Sequence, residues 1–153
     1  KPVLDAMGDK VMYCGPVGNG TVCKLCHQLF GSILGAGTLE VLTVGVKAGV
    51  PLQTQVEAIS RSAAGKNPPM EGWKQGPPSN DFEPDELTFL FELGRKDVRL
   101  ACELGRQFDV PMDLANIVEQ RMIEAMNRGW GKKQSGIVRL LQQERSGVDL
   151  SKA

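Results

Sequence analysis

The feature that most constrains this chain is a run from Val22 to about Ala48 that is apolar on nearly every face. Val22, Leu25, Cys26, Leu29, Phe30, Ile33 and Leu34 fall at spacings of three and four, and Leu39, Val41, Leu42, Val44 and Val46 then crowd together. Such spacing specifies a helix, and a helix that is apolar all round belongs in an interior. Thr21 carries a hydroxyl suited to capping it. The expected fold is all-α, a helical bundle around one long buried helix. Gly31, Gly35, Gly37 and Gly45 would let neighbouring helices approach closely, within the domain or across a dimer. The same run invites a membrane reading, because Gly31 and Gly35 frame a G-x-x-x-G. Against it, a span needs about 20 predominantly apolar residues, and Glu40 lies deep in the stretch.

The rest of the chain is amphipathic. Ala48-Gly49-Val50-Pro51 stops the first helix and opens a second, with Leu52, Val56, Ile59 and Ala63 on one face and Gly65 at its end. Residues 66–80, rich in proline and glycine, form a long irregular loop, a kind often functional. Phe82, Leu87, Phe89, Leu90, Phe91 and Leu93 lead into a helix with Leu100, Ala101, Leu104 and Phe108. Pro111 opens the next, with Leu114, Ile117, Val118, Met122, Ala125 and Met126 inward and Gly129 at its end. A last helix holds Ile137, Val138, Leu140 and Leu141. The one strand-like piece is Lys10 to Cys14. Residues 1–20 read as the end of an interdomain segment with a glycine-rich loop, and 21–153 as one helical domain.

Eighteen basic and eighteen acidic residues cancel. No single-sign field is available to draw in nucleic acid or an anionic membrane, so neither is expected as a partner. Four cysteines are too few for a secreted disulfide scaffold and the opening residues do not resemble a signal peptide, so a reducing, cytoplasmic setting is expected.

Lys24 is the most chemically loaded residue. With Thr21 as cap it would occupy the first helical turn, where the backbone dipole disfavours a cation. Partial burial would act in the same direction and lower its pKa towards a value useful for proton transfer. Gly15-Pro16-Val17-Gly18-Asn19-Gly20 just before it allows close approach of a ligand to the backbone. A surface lysine that happens to start a helix satisfies the same pattern. The loop is not a dinucleotide fingerprint, because its glycine spacings are reversed relative to G-x-G-x-x-G.

Cys23-Lys24-Leu25-Cys26-His27 is also a C-x-x-C-H, the attachment pattern of a c-type haem, with Met70 available as second ligand. Its place inside an apolar periodic helix argues instead for Cys26 as a small core residue. A zinc site from Cys14, Cys23, Cys26 and His27 lacks a second paired-ligand motif, and no metal is expected. Lys96-Asp97 follows an aromatic cluster and reads equally well as a solvated helix face.

Taken in order, these pieces resemble the C-terminal half of the β-hydroxyacid dehydrogenases, the family of 3-hydroxyisobutyrate dehydrogenase. The family pattern G-x-x-G-x-G, three residues, Lys and a long helix is matched by Gly15 to Gly20 and Lys24. Glu40 and Ala48-Gly49-Val50 continue it, then Phe89, Lys96-Asp97-Val98, Leu100-Ala101, Val110-Pro111 and Gly129 to Gly131. The resemblance implies an all-α domain like the C-terminal domain of 6-phosphogluconate dehydrogenase. It further implies NAD- or NADP-dependent interconversion of a small β-hydroxyacid and its semialdehyde, in a homodimer. Lys24 would be the acid/base, Gly18 and Gln28 would contact substrate, and Phe89 and Lys96 would meet the cofactor. Two positions depart from the pattern: Gln28 stands where an Asn is usual and Gln134 where an Asp is usual. The N-terminal Rossmann half that would hold most of the cofactor precedes this pattern, so the chain alone is expected to be inactive. The rival expectation is a helical dimerisation module without chemistry.

Overall fold

The computed structural model describes residues 11–67, 69–74 and 79–152, with Val3 and Ala6. Lys10 and parts of the 66–80 loop lie outside the described residues. The chain divides into two compact bodies, Lys1–Thr38 and Leu39–Ala153. The described elements are helices and short 3-10 turns, and the one β contact among them is an isolated bridge between Leu90 and Gln134. The all-α class stands. The short extended segment expected at residues 10–14 belongs to no strand across its described part, Val11–Cys14.

The long helix, α1, runs Asn19–Lys47. It starts earlier than Thr21 because Gly18, at φ 100°, turns the chain so that its carbonyl accepts the Val22 N–H at 3.1 Å. Two of its hydroxyl side chains bond back within the helix, Ser32 donating to the Gln28 carbonyl at 2.9 Å and Thr38 to the Leu34 carbonyl at 2.8 Å. The expected burial is corrected: Val44 is the one buried residue of α1. A fully apolar pattern records how much water-averse surface a helix carries, not whether its own chain covers it. Cβ atoms added at Gly31 and Gly35 would meet nothing within 4 Å. By length and composition α1 could cross a membrane, with a mean hydropathy of 1.6 over its most apolar window.

In the second body, the end of α1 is fastened by three side chains. Val44 packs with Val110 and Met112, and Lys47 Nζ donates to the Phe108 carbonyl at 3.1 Å. Glu40 accepts the backbone N–H groups of Leu114 at 2.8 Å and Ala115 at 3.1 Å. These open a helix, α5 (Asp113–Asn127), whose own N-cap, Met112, has no side chain to offer. Glu40 therefore caps a helix remote in sequence, with its charge at the positive end of the dipole. Glu40→Ala is expected to lower stability by about 1–3 kcal/mol and Glu40→Gln by less, since one acceptor survives. Urea unfolding midpoints at unchanged slope check this; equal stability of all three proteins would refute the capping role.

Between them lie α2 (Leu52–Arg61), α3 (Ala63–Lys66) and α4 (Phe91–Gln107). Gly65 falls inside α3 rather than ending α2, because Ser62 breaks the chain first and caps α3 through its hydroxyl. Phe82, Phe91, Ala125, Ile137 and Leu141 form the main core, flanked by Met122, Met126 and Trp130. Of the inward stripe expected for α5, Ala125 is buried and Met122 and Met126 pack against the core, but its first half departs from expectation. Ile117 and Val118 are about half exposed, whereas Glu119 is buried and interacts with the buried Cys102, raising that thiol's pKa after the larger effect of desolvation. A 3-10 turn, Ser135–Val138, precedes the last helix, α6 (Arg139–Ser146).

Candidate functional site

In the first body, the glycine-rich loop folds back on the start of α1. Gly15 at φ 108° reverses the chain, Asn19 N–H donates to the Pro16 carbonyl at 3.1 Å, and Asn19 Nδ2 donates to the Cys14 carbonyl at 3.2 Å. The positive φ of Gly15 favours glycine there, and a Cβ would stand 2.6 Å from Asn19 Nδ2 and displace that amide. Gly18 also has positive φ, but a Cβ there would meet nothing within 4 Å, so the backbone lies open to an approaching molecule.

Lys24 and Gln28 follow, one helical turn apart on α1 and therefore on one face. Both side chains are exposed. Because α1 begins at Asn19, Lys24 sits in the second turn, not the first, and the partial burial expected for it is absent within this chain. Its position, a cation beside an accessible glycine loop and one turn from an amide, is what singles it out.

In the second body, Phe89 is 55% exposed, and one edge of its ring lies 3.4 Å from the place a Cβ would occupy on Gly94. Lys96 is exposed on α4 and pairs with Asp97 at 3.1 Å. Gln134, where the resemblance led us to look for an Asp, is a structural tie: its N–H donates to the Phe82 carbonyl at 3.0 Å and its Nε2 to the Glu83 carbonyl at 2.7 Å. Gly129, at φ 78°, ends α5, and a Cβ at buried Gly131 would lie 3.1 Å from Met126 Cε. The Gly-Trp-Gly is thus a stop and turn, as its composition suggested.

Among the described residues no group of three or more His, Cys, Asp or Glu side chains is placed to hold a metal ion, so Cys14, Cys23, Cys26 and His27 do not converge as a ligand set. Sequence reasoning missed the placement of the Cys14 thiol, which donates to the Met12 carbonyl at 3.8 Å. It also missed the cap from Glu40. A signal for the latter was present: Val110-Pro111-Met112 offers no capping side chain of its own.

The family described as NAD-binding of NADP-dependent 3-hydroxyisobutyrate dehydrogenase matches residues 18–141. L-threonate dehydrogenase of Haemophilus influenzae is 30% identical over 154 residues, covering 99% of this chain and 48% of that protein. Mitochondrial 3-hydroxyisobutyrate dehydrogenase of Rattus norvegicus is 27% identical over 149 residues, covering 93% of this chain and 44% of that protein. The solved structure of an imine reductase from Myxococcus stipitatus in complex with NADP+ shares the fold, with TM-score 0.56 and 20% identity over 79% of this chain and 44% of that one. The chain spans about half the length of the curated relatives it matches.

Proposed function

Because the chain belongs to the family of NAD-binding domains of NADP-dependent 3-hydroxyisobutyrate dehydrogenase, we propose that it is the helical half of a dehydrogenase that interconverts a small β-hydroxyacid and its semialdehyde. The observation that carries this reading is the placement of Lys24 and Gln28 on one exposed face of α1, directly after an open glycine loop and inside the matched region. L-threonate dehydrogenase and 3-hydroxyisobutyrate dehydrogenase, the similar proteins, are named for hydroxyacids.

The donor set fits a nicotinamide dinucleotide. Lys96 supplies an exposed cation for a phosphate or ribose, and Phe89 an exposed aromatic face, both on the second body. When bound, the dinucleotide supplies hydride acceptance and donation at its nicotinamide. Lys24 Nζ hydrogen-bonds the substrate hydroxyl and takes its proton as the alcohol becomes a carbonyl, returning it in the reverse direction. The Gln28 amide donates to the substrate carboxylate, and the Gly18 backbone lets that carboxylate come close. An N-terminal Rossmann domain holds the adenosine and pyrophosphate. It and a second copy of the chain cover the apolar surface of α1.

The test is a spectrophotometric assay of dinucleotide reduction by the full-length protein with 3-hydroxyisobutyrate, L-threonate and related β-hydroxyacids. Turnover with at least one of them is expected, and none from residues 1–153 alone. A full-length protein that neither binds a nicotinamide dinucleotide nor oxidises any of these acids would refute the proposal.

A further inference from the structure

We propose that the groove between α5 and α6 binds a small organic oxyanion, a phosphate monoester or a carboxylate, which Arg121 and Arg145 hold by its charge. The groove measures about 540 Å³ and is lined by Asn116, Ile117, Gln120, Arg121 and Glu124 of α5 and by Arg145 of α6. That volume lies in the range of small-molecule sites. The α5 residues form two adjacent rows at a spacing of four, 116-120-124 and 117-121, so the helix itself sets them on one face. None of the six takes part in the hydroxyacid chemistry assigned to Lys24, and the inference stands apart from the dehydrogenase reading.

The charges in and beside the groove do not cancel. Glu124 is already engaged twice, its Oε1 accepting from Arg128 Nη2 at 3.0 Å and its Oε2 from Arg145 Nη2. Arg128 is held in turn by Glu144 and lies over the Trp130 ring at 5.2 Å. Three guanidiniums, those of Arg121, Arg128 and Arg145, therefore stand against two carboxylates. The cation left over is Arg121, which makes no hydrogen bond or ion pair among the described residues. A guanidinium carries five N–H donors, and the bond to Glu124 fixes the Arg145 fork in place while leaving others to donate. Two such forks on one groove match the paired oxygens of a phosphate or carboxylate. The remaining walls describe the rest of the ligand. Asn116 Nδ2 donates to the Met112 carbonyl at 2.6 Å, which leaves Oδ1 to accept a ligand hydroxyl. Ile117, 52% exposed although apolar, offers a surface that a bare ion would leave unused. The ligand is an anion on a short hydroxylated carbon frame.

The experiment titrates the isotope-labelled chain with glycerol 3-phosphate, citrate and inorganic phosphate in turn, at constant ionic strength, and follows backbone amide shifts by NMR. The expected result is saturable shifts centred on residues 116–124 and on Arg145, with glycerol 3-phosphate or citrate binding more tightly than inorganic phosphate. The tighter of those two identifies the anion as phosphate or carboxylate. Arg121→Gln should weaken that binding by about tenfold, since it removes the charge-assisted bonds. Its melting temperature should stay at the wild-type value, because Arg121 ties down no other part of the chain. Arg61→Gln, which removes an exposed cation from α2, should bind as wild type does. Shifts that fail to saturate or that centre elsewhere, equal affinity for inorganic phosphate, wild-type affinity in Arg121→Gln, or an equal loss in Arg61→Gln would overturn the proposal.

Discussion

Lys24→Ala in the full-length protein is expected to lower kcat for hydroxyacid oxidation by about 100- to 10,000-fold, the range supplied by a positioned general acid or base. Each factor of ten corresponds to about 1.4 kcal/mol of transition-state stabilisation. Dinucleotide affinity should change little, because Phe89 and Lys96, the proposed cofactor contacts, lie in the other body. Lys24→Arg separates the two things a lysine does. Arginine keeps the charge but cannot give up its proton, so it should restore substrate binding without restoring kcat. Lys24 is exposed on a helix, and alanine and arginine are both good helix formers, so melting temperatures should stay near wild type. Steady-state kinetics and dinucleotide titration check all of this. Wild-type kcat in the alanine variant would reduce Lys24 to an incidental surface cation.

How much of this was legible from the residues follows from what periodicity encodes. Spacings of three and four located every long helix, because each must present an apolar stripe to something. Boundaries drifted where backbone conformation decided them. Asn19 and Gly20 are indifferent helix formers, yet α1 starts on them because Gly18 turns the chain into register. Ile117 and Val118 were read as inward because they are apolar, whereas Glu119 is the residue that α5 buries. For the site, the physical case for Lys24 rested on a first-turn position and partial burial, and neither describes where it lies. The ordered resemblance from Gly15 to Lys96 carried the reading instead, and the family match covers most of that span.

Exposure of α1 leads to the other large effect. Residues 19–38 contain Gly20, Gly31, Gly35 and Gly37, each costing about 1 kcal/mol against alanine in a helix interior. No residue in that stretch is buried to compensate, although Val22, Leu25, Leu29 and Ile33 recur at spacings of three, four and four and are 57%, 65%, 61% and 53% exposed. A helix with poor intrinsic propensity and a continuous apolar stripe needs packing from outside. If a second copy supplies it across a two-fold axis, every substitution on the stripe counts twice. Burying one Leu or Ile is worth about 1.5–3 kcal/mol. Leu29→Lys and Ile33→Lys should therefore each cost about 3–6 kcal/mol of association, a fall in dimer affinity of roughly 100- to 10,000-fold or more. Sedimentation equilibrium of the chain at micromolar concentration is expected to show a dimer for wild type and a monomer for the double variant. Circular dichroism should show the helix retained, because lysine is a good helix former and both sites are exposed. A wild-type chain that is monomeric in solution, or that instead partitions into phospholipid vesicles, would mean that something other than a second copy covers the stripe.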